Sequence, residues 1–224
     1  TRLEHELGQR PARVDAEQER NRAQDESKRA DSEAAVAKAV SEFLQNDLLA
    51  QASSAVQAGD ATRADPNLTV RAALDRASAR IGGKFEDRPE IEAAIHRTIG
   101  MTYSDLGQYA EAEQHLKRAV ELQQRVLGAG HSDTLATMSQ LGMIYTTTGK
   151  NAQAEDLMSK VLLEQRRLFG DDDIRTIDAM NNLAIAASGL GRHTEAERLY
   201  LRMLAIEGRV NGGEQAGTLA VMKN

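Results

Sequence analysis

Histidine is the first residue type to test for chemistry, and the chain has five: His5, His96, His115, His131 and His193. No two stand in the HxxxH or HExxH spacing that would put paired imidazoles on one helix face around zinc. Cysteine is absent, which removes disulfides, thiol catalysis and thiolate-bound zinc. Asp171-Asp172-Asp173 carries charge enough for a cation but lacks the alternating spacing of a calcium loop. An acidic turn ahead of a helix is expected instead to cap its free N–H groups. Gly128-Ala129-Gly130 and Asn211-Gly212-Gly213 follow helical stretches rather than strands, so they end helices and do not cradle phosphate. Serine and histidine are scattered without a base–nucleophile pattern. The chain is therefore read as non-catalytic, with no metal ligands and no cofactor.

Chemistry being sparse, the positioning elements carry the information. Of 224 residues, 41% are apolar and only 3% aromatic, Trp is absent, and Pro occurs three times. Ala, Leu, Glu, Gln and Arg dominate; these lose little rotamer freedom in a helix, so the expectation is all-α. A net charge of −6 disfavours a nucleic-acid surface, which needs clustered Lys and Arg. No apolar run is long enough to span a membrane, and no signal peptide is visible. The start at Thr1 and the break within a pattern at Asn224 lead us to expect a piece of a longer protein. Localisation stays open: cytoplasmic, or extracytoplasmic if an upstream membrane helix tethers the chain.

The chain repeats with a spacing of 42 residues, giving units 89–130, 131–172 and 173–214 and the start of a fourth at 215–224. Five columns are identical in the three units, among them Gly107/Gly149/Gly191, Ala112/Ala154/Ala196 and Glu113/Glu155/Glu197. The other two are Arg125/Arg167/Arg209 and Gly128/Gly170/Gly212, and Thr218, Met222 and Asn224 continue the register of Thr176, Met180 and Asn182. Each unit reads as two helices. The first carries apolar residues at helical spacing (Ile95, Ile99 and Tyr103 in the first unit) and ends at the Gly107 column. The second is expected to open on the Ala-Glu pair, its acid favoured in a first turn. Gly100, Gly142 and Ala184, with the Ala112 column, are expected to let the two helices approach closely. His96 shares a column with Met138, Met180 and Met222, so it is expected to be partly packed; His131, at a unit boundary, is expected to support the turn.

Residues 12–58 read as one long helix whose alanines recur every seven, at Ala16, Ala23, Ala30 and Ala37. Their partner positions are polar until Val40, Phe43, Leu44 and Leu48, so a solvated stalk (1–35) should give way to packed capping helices (36–88). Residues 58–68 read as a loop, and 69–81 as a second helix with Val70, Leu74, Ala77 and Ile81 on one face. Together they would cover the open end of a solenoid.

Ile99-Gly100 with Tyr103, Leu141-Gly142 with Tyr145, Leu183-Ala184, the turn glycine and the small Ala112 column resemble tetratricopeptide repeats. The usual unit is about 34 residues; this longer one, with "HSDTLATMSQLGMIYTTTGKNAQAEDL" and "MNNLAIAASGLGRHTEAERLY", is similar to the kinesin-light-chain subclass. The Gly107 and Ala112 columns fit HEAT and armadillo repeats poorly. The resemblance implies a right-handed superhelical solenoid of antiparallel helix pairs. The stretches "AVSEFLQNDLLAQA" and "LTVRAALDRASARIGGKFEDRPEIEAAIHRTIG" also resemble the C-terminal region of bacterial serine/threonine protein kinases that bear such repeats. That implies a sensor or scaffold region downstream of a kinase, although the kinase motifs themselves are absent from this sequence.

In such arrays the first helix of each unit lines a concave face that holds a peptide. Carried over by column, the face starts with Ala94, Ala136 and Asp178, followed by Arg97, Ser139 and Asn181 beside Thr98, Gln140 and Asn182. Lys223 and Asn224 extend those two columns. One turn on lie Met101, Met143 and Ile185, then Ser104, Thr146 and Ser188. Asparagine and glutamine can donate and accept at once, which suits the unpaired backbone groups of an extended peptide, and methionine offers an adaptable apolar contact. The resemblance implies that Asn181 and Asn182 grip cargo, and Arg97 suits an acidic group. With few aromatics, affinity should be roughly micromolar. The leading expectation is a protein- or peptide-binding module, with no nucleic-acid or membrane partner; the alternative is a homodimer formed through the N-terminal helix or the last repeat.

Overall fold

The computed structural model describes residues 2–48, 69–85 and 87–210. Among them lie eight helices and no strand: α1 (Arg2–Phe43), α2 (Val70–Ser78), α3 (Pro89–Asp105), α4 (Tyr109–Val126), α5 (Ser132–Thr147), α6 (Asn151–Phe169), α7 (Ile174–Gly189) and α8 (His193–Val210). From α3 onward each helix packs on its neighbours in sequence, and first helices of adjacent units also touch, α3 with α5 and α5 with α7. The chain is an all-α solenoid of antiparallel helix pairs.

The identical turns have one cause. Gly107, Gly149 and Gly191 take φ of 71°, 73° and 76°, left-handed values that cost an L side chain strain. Behind each, the next residue's N–H reaches back to close the helix: Gln108 to the Tyr103 carbonyl, Lys150 to Tyr145 and Arg192 to Ala187. Gly107, Gly149 and Gly191 themselves donate to Ser104, Thr146 and Ser188, which completes a Schellman cap three times over. The starts of the first helices also share a column. Pro89 occupies the first turn of α3, where its missing N–H is harmless, while His131 Nδ1 and Asp173 Oδ1 accept from the N–H groups of Asp133 and Arg175.

One apolar core runs from Phe43 through Ile95, Ile99, Leu116, Met138, Met158 and Met180 to Ile206. Close approach needs the small residues. A Cβ at Gly100 would come within 2.9 Å of Leu116 Cγ, and one at Gly142 within 2.3 Å of Met158 Cε. The third unit admits Ala184 there, fully buried, in a small alanine cluster against the half-buried Tyr200.

Several expectations need correction. The second helices begin at Tyr109, Asn151 and His193, three residues ahead of the Ala-Glu pair. The glutamate is therefore beyond the first turn and ties units together instead: Glu113 accepts from Lys117 (2.6 Å) and from Lys150 of the next unit (2.5 Å), and Glu155 from Arg192. Of the aspartate triplet only Asp173 caps a helix. Asp171 pairs with Arg166 and Arg202, and Asp172 with Arg209.

Helix α1 starts at Arg2 and passes at Leu44–Leu48 into a wider π-type turn; the rest of the expected 12–58 helix and the expected loop at 58–68 lie outside the described residues. Every described side chain from 19 to 35 is exposed, and burial begins at Val36, Val40 and Phe43. Helix α2 is shorter than the expected 69–81: Thr69 caps it, its regular part ends at Ser78, and Ile81 is buried on the turn beyond. The expected fourth unit lies outside the described residues.

Candidate functional site

The inner face is built from the first helices. Helical spacing aligns Ala94, Thr98 and Met101 on α3, Ala136, Gln140 and Met143 on α5, and Asp178, Asn182 and Ile185 on α7, with Arg97, Ser139 and Asn181 alongside. Adjacent units meet there: Arg97 Nε approaches Gln140 Oε1 at 3.5 Å, and Gln140 Nε2 lies 3.2 Å from Met101 Sδ. Arg97, Thr98, Ser139, Gln140, Asn181 and Asn182 are half-buried, whereas Met101, Met143 and Ile185 are 40%, 53% and 37% exposed. An apolar strip thus faces solvent beside a polar one.

The polar strip differs from the expected amide-and-hydroxyl ladder. Thr98 donates to the Ala94 carbonyl (2.9 Å), Ser139 to Leu135 (3.0 Å) and Thr146 to Met143 (2.9 Å), so these hydroxyl protons are spent within their own helices. The amides remain. Asn181 and Asn182 have no side-chain hydrogen-bond partner among the described residues, and burial alone pushes the Asp178 carboxyl above its ordinary value.

At the N-terminal end the face deepens into an open cleft of about 900 Å³. Arg97, Thr98 and Met101 form one wall, and Arg29, Ser32 and Val36 of α1 stand opposite. The other six expected site residues lie along α5 and α7, outside this cleft. The part played by α1 was missed, because an exposed polar helix gives no local sign of what it faces. Missed too was a column of buried Gln123 and Gln165 and half-buried Glu207, each with one buried carboxyl or amide oxygen unpaired; Gln123 lines the cleft. That column was visible in the 42-residue register.

A polar cluster lies apart from the face, where α2 meets α3 and α4. His96 Nδ1 and His115 Nδ1 are 2.8 Å apart, Ser78 Oγ lies 2.8 Å from His115 Nε2, and Arg118 donates to Glu92 beside His96. Among the described residues no three His, Cys, Asp or Glu groups converge as metal ligands, and no helix is long and apolar enough to cross a membrane.

These features define a solenoid of helix pairs whose inner face sets an apolar strip beside a polar one. The family model for the tetratricopeptide repeat matches residues 91–162 and 146–207, together over half of the chain. The chain belongs to the tetratricopeptide repeat family, whose repeats mediate protein–protein interaction on a non-catalytic scaffold. Among solved structures it is similar to BtubC (BKLC) from P. vanneervenii, with TM-score 0.55 and 16% identity over 83% of this chain and 74% of that one. It is also similar to a Podosopora anserina putative kinesin light chain with nearly identical TPR-like repeats, with TM-score 0.51 and 21% identity over 82% and 92%. A variant of the latter protein matches equally well. No curated protein sequence matches at a significant level.

Proposed function

We propose that the array grips an extended polypeptide along the first helices of its units, with the amides of Gln140, Asn181 and Asn182 meeting the peptide backbone. The single observation carrying this reading is the pairing of the unpartnered Asn181 and Asn182 amides with an exposed Met101–Met143–Ile185 strip on the same face. Hydrophobic contact supplies affinity and amides supply register. Helices spaced about 9 Å apart make a three-unit face that roughly six to nine extended residues would cross. Arg97 receives an acidic group at the cleft end. In the parent protein this region serves as a regulatory scaffold, a reading supported by the resemblance of its N-terminal stretch to repeat-bearing kinases.

The test is selection of displayed random dodecapeptides on the wild-type chain and on the triple variant Gln140→Ala, Asn181→Ala, Asn182→Ala. We expect enrichment on wild type and its loss on the variant at unchanged helicity. Equal enrichment on both would remove the groove. The second reading, self-association through α1, is favoured by the exposed alanines at 23, 30 and 37. It predicts a sedimentation mass that rises with concentration and becomes monomeric on deleting residues 1–35.

A further inference from the structure

The first unit departs from its repeat in two columns at once. Where the later units carry Met138 and Met180, it has His96; where they carry Leu157 and Leu199, it has His115. The structure brings the two imidazoles together, their ring centroids 4.9 Å apart and the ring of Tyr103 stacked on His115 at 5.6 Å. His115 then reaches out of the repeat to Ser78, the last residue of α2. The only nitrogens that converge are the two Nδ1 atoms; Ser78 and Glu92 approach the outer nitrogens, so the arrangement is a hydrogen-bonded chain and not a ligand set.

Its proton positions follow from the neighbours. The Glu92 carboxylate, 3.9 Å from His96 Nε2, favours a hydrogen there. His96 Nδ1 is then bare and accepts from His115 Nδ1–H, and bare His115 Nε2 accepts from the Ser78 hydroxyl. Both 2.8 Å contacts are then satisfied hydrogen bonds. An additional proton on His96 Nδ1 would set two N–H groups against each other across 2.8 Å. One on His115 Nε2 would put a cation in a half-buried site and force the Ser78 hydroxyl to turn round.

We propose that the His96–His115 pair is a proton-operated latch that keeps α2 docked on the first helix pair, and that mild acidification releases α2 and bares that end of the array. At nine residues α2 is too short to persist alone, so release means melting. Leu74 and Ala77 supply its apolar hold, and the latch adds to it.

Charged groups reach the pair from all three helices around it. Helix α2 brings Asp75, which accepts from Tyr103 Oη (2.6 Å), and Arg71, which pairs with Glu111 of α4 (3.2 Å). Glu92 of α3 favours a cation at His96, but Arg118 of α4 holds that carboxylate at 2.8 Å. Burial first, then the neighbouring His115, lowers the His96 pKa from 6.5 to about 4, with Glu92 opposing and Arg118 assisting; burial also lowers His115. With α2 docked, the histidine pair therefore binds fewer protons than with α2 released. Docking is complete above the ordinary histidine pKa and weakens as pH falls below it, by up to about tenfold per pH unit for each proton taken up.

Hydrogen exchange of the α2 amides tests this, comparing protection factors at about pH 7.5 and about pH 5.5, where ordinary carboxylates stay ionised. Protection of α2 should fall by about tenfold while that of α5 to α8 holds. The variant His96→Gln/His115→Gln should show an α2 that no longer responds to pH, whether tight or loose. Invariant protection in the wild-type chain, or a pH response that survives in the variant, would overturn the latch. NMR titration of the unmodified chain is the second measurement. His96 and His115 must titrate below the ordinary histidine value of about 6.5, and titration at or above it would equally refute the latch.

Discussion

The first unit and the two that follow share a backbone but differ inside. In units two and three the space between first and second helix is filled by Met138 with Leu157 and by Met180 with Leu199. In unit one the same columns hold His96 and His115, and Tyr103 donates to Asp75 of α2. The turns and the glycine approach are alike in the first two units. Backbone geometry is thus set by a few glycines and caps, whereas interior chemistry is free to change where a unit meets something other than another unit. A repeat interior made polar at the end of an array acquires dependence on pH; an apolar interior has none to acquire.

Truncation at matched columns tests this contrast with the largest effects. Met180→Ala and Met138→Ala remove fully buried side chains, 0% and 4% exposed, and should each cost about 2–5 kcal/mol by urea unfolding. His96→Ala should cost less, about 1–3 kcal/mol at neutral pH, mainly from leaving the His115 donor unpaired, and the cost should shrink on acidification. Equal costs at all three positions, independent of pH, would erase the distinction between the units.

The turns provide the converse test, since here the units should be indistinguishable. Gly107→Ala and Gly149→Ala each force a side chain into a left-handed backbone, at 71° and 73°, with nothing within 4 Å of the added methyl. Each should lower stability by about 1–2 kcal/mol. A large difference between them would mean that the caps are not equivalent.

How much of this could be read beforehand follows the same division. The 42-residue register was legible because turn glycines and small residues act through the backbone, where one residue type has one consequence. The inner-face columns were legible as positions, but not the state of their groups: nothing in Thr98 or Ser139 announces that the hydroxyl donates four residues back along its own helix. His96 and His115 were each visible as departures from a column. Their meeting depends on how α3 and α4 face each other, and the docking of α2 upon them is a long-range contact. The role of α1 as a cleft wall was hidden for the same reason.

The smallest expected effect concerns the links between units. Burial alone would push the Glu113 carboxyl up, but bonds from Lys117 and Lys150 outweigh it and hold the group below its ordinary value. A carboxylate so depressed contributes stability above its unfolded pKa and loses it as pH falls through the lowered one, a window more acidic than that of the histidine pair. Both lysines are over two-fifths exposed, so solvent screens much of the attraction. Glu113→Gln should therefore cost only about 0.5–1 kcal/mol at neutral pH, and part of that should disappear in high salt. Because Lys150 belongs to the next unit, the loss should appear as weaker coupling between units one and two: a broader urea transition, with unit one exchanging ahead of the rest. A uniform loss with the transition still sharp would place the energy of Glu113 within its own helix, in the Lys117 bond, and would leave the Lys150 bond without a share in joining the first and second units.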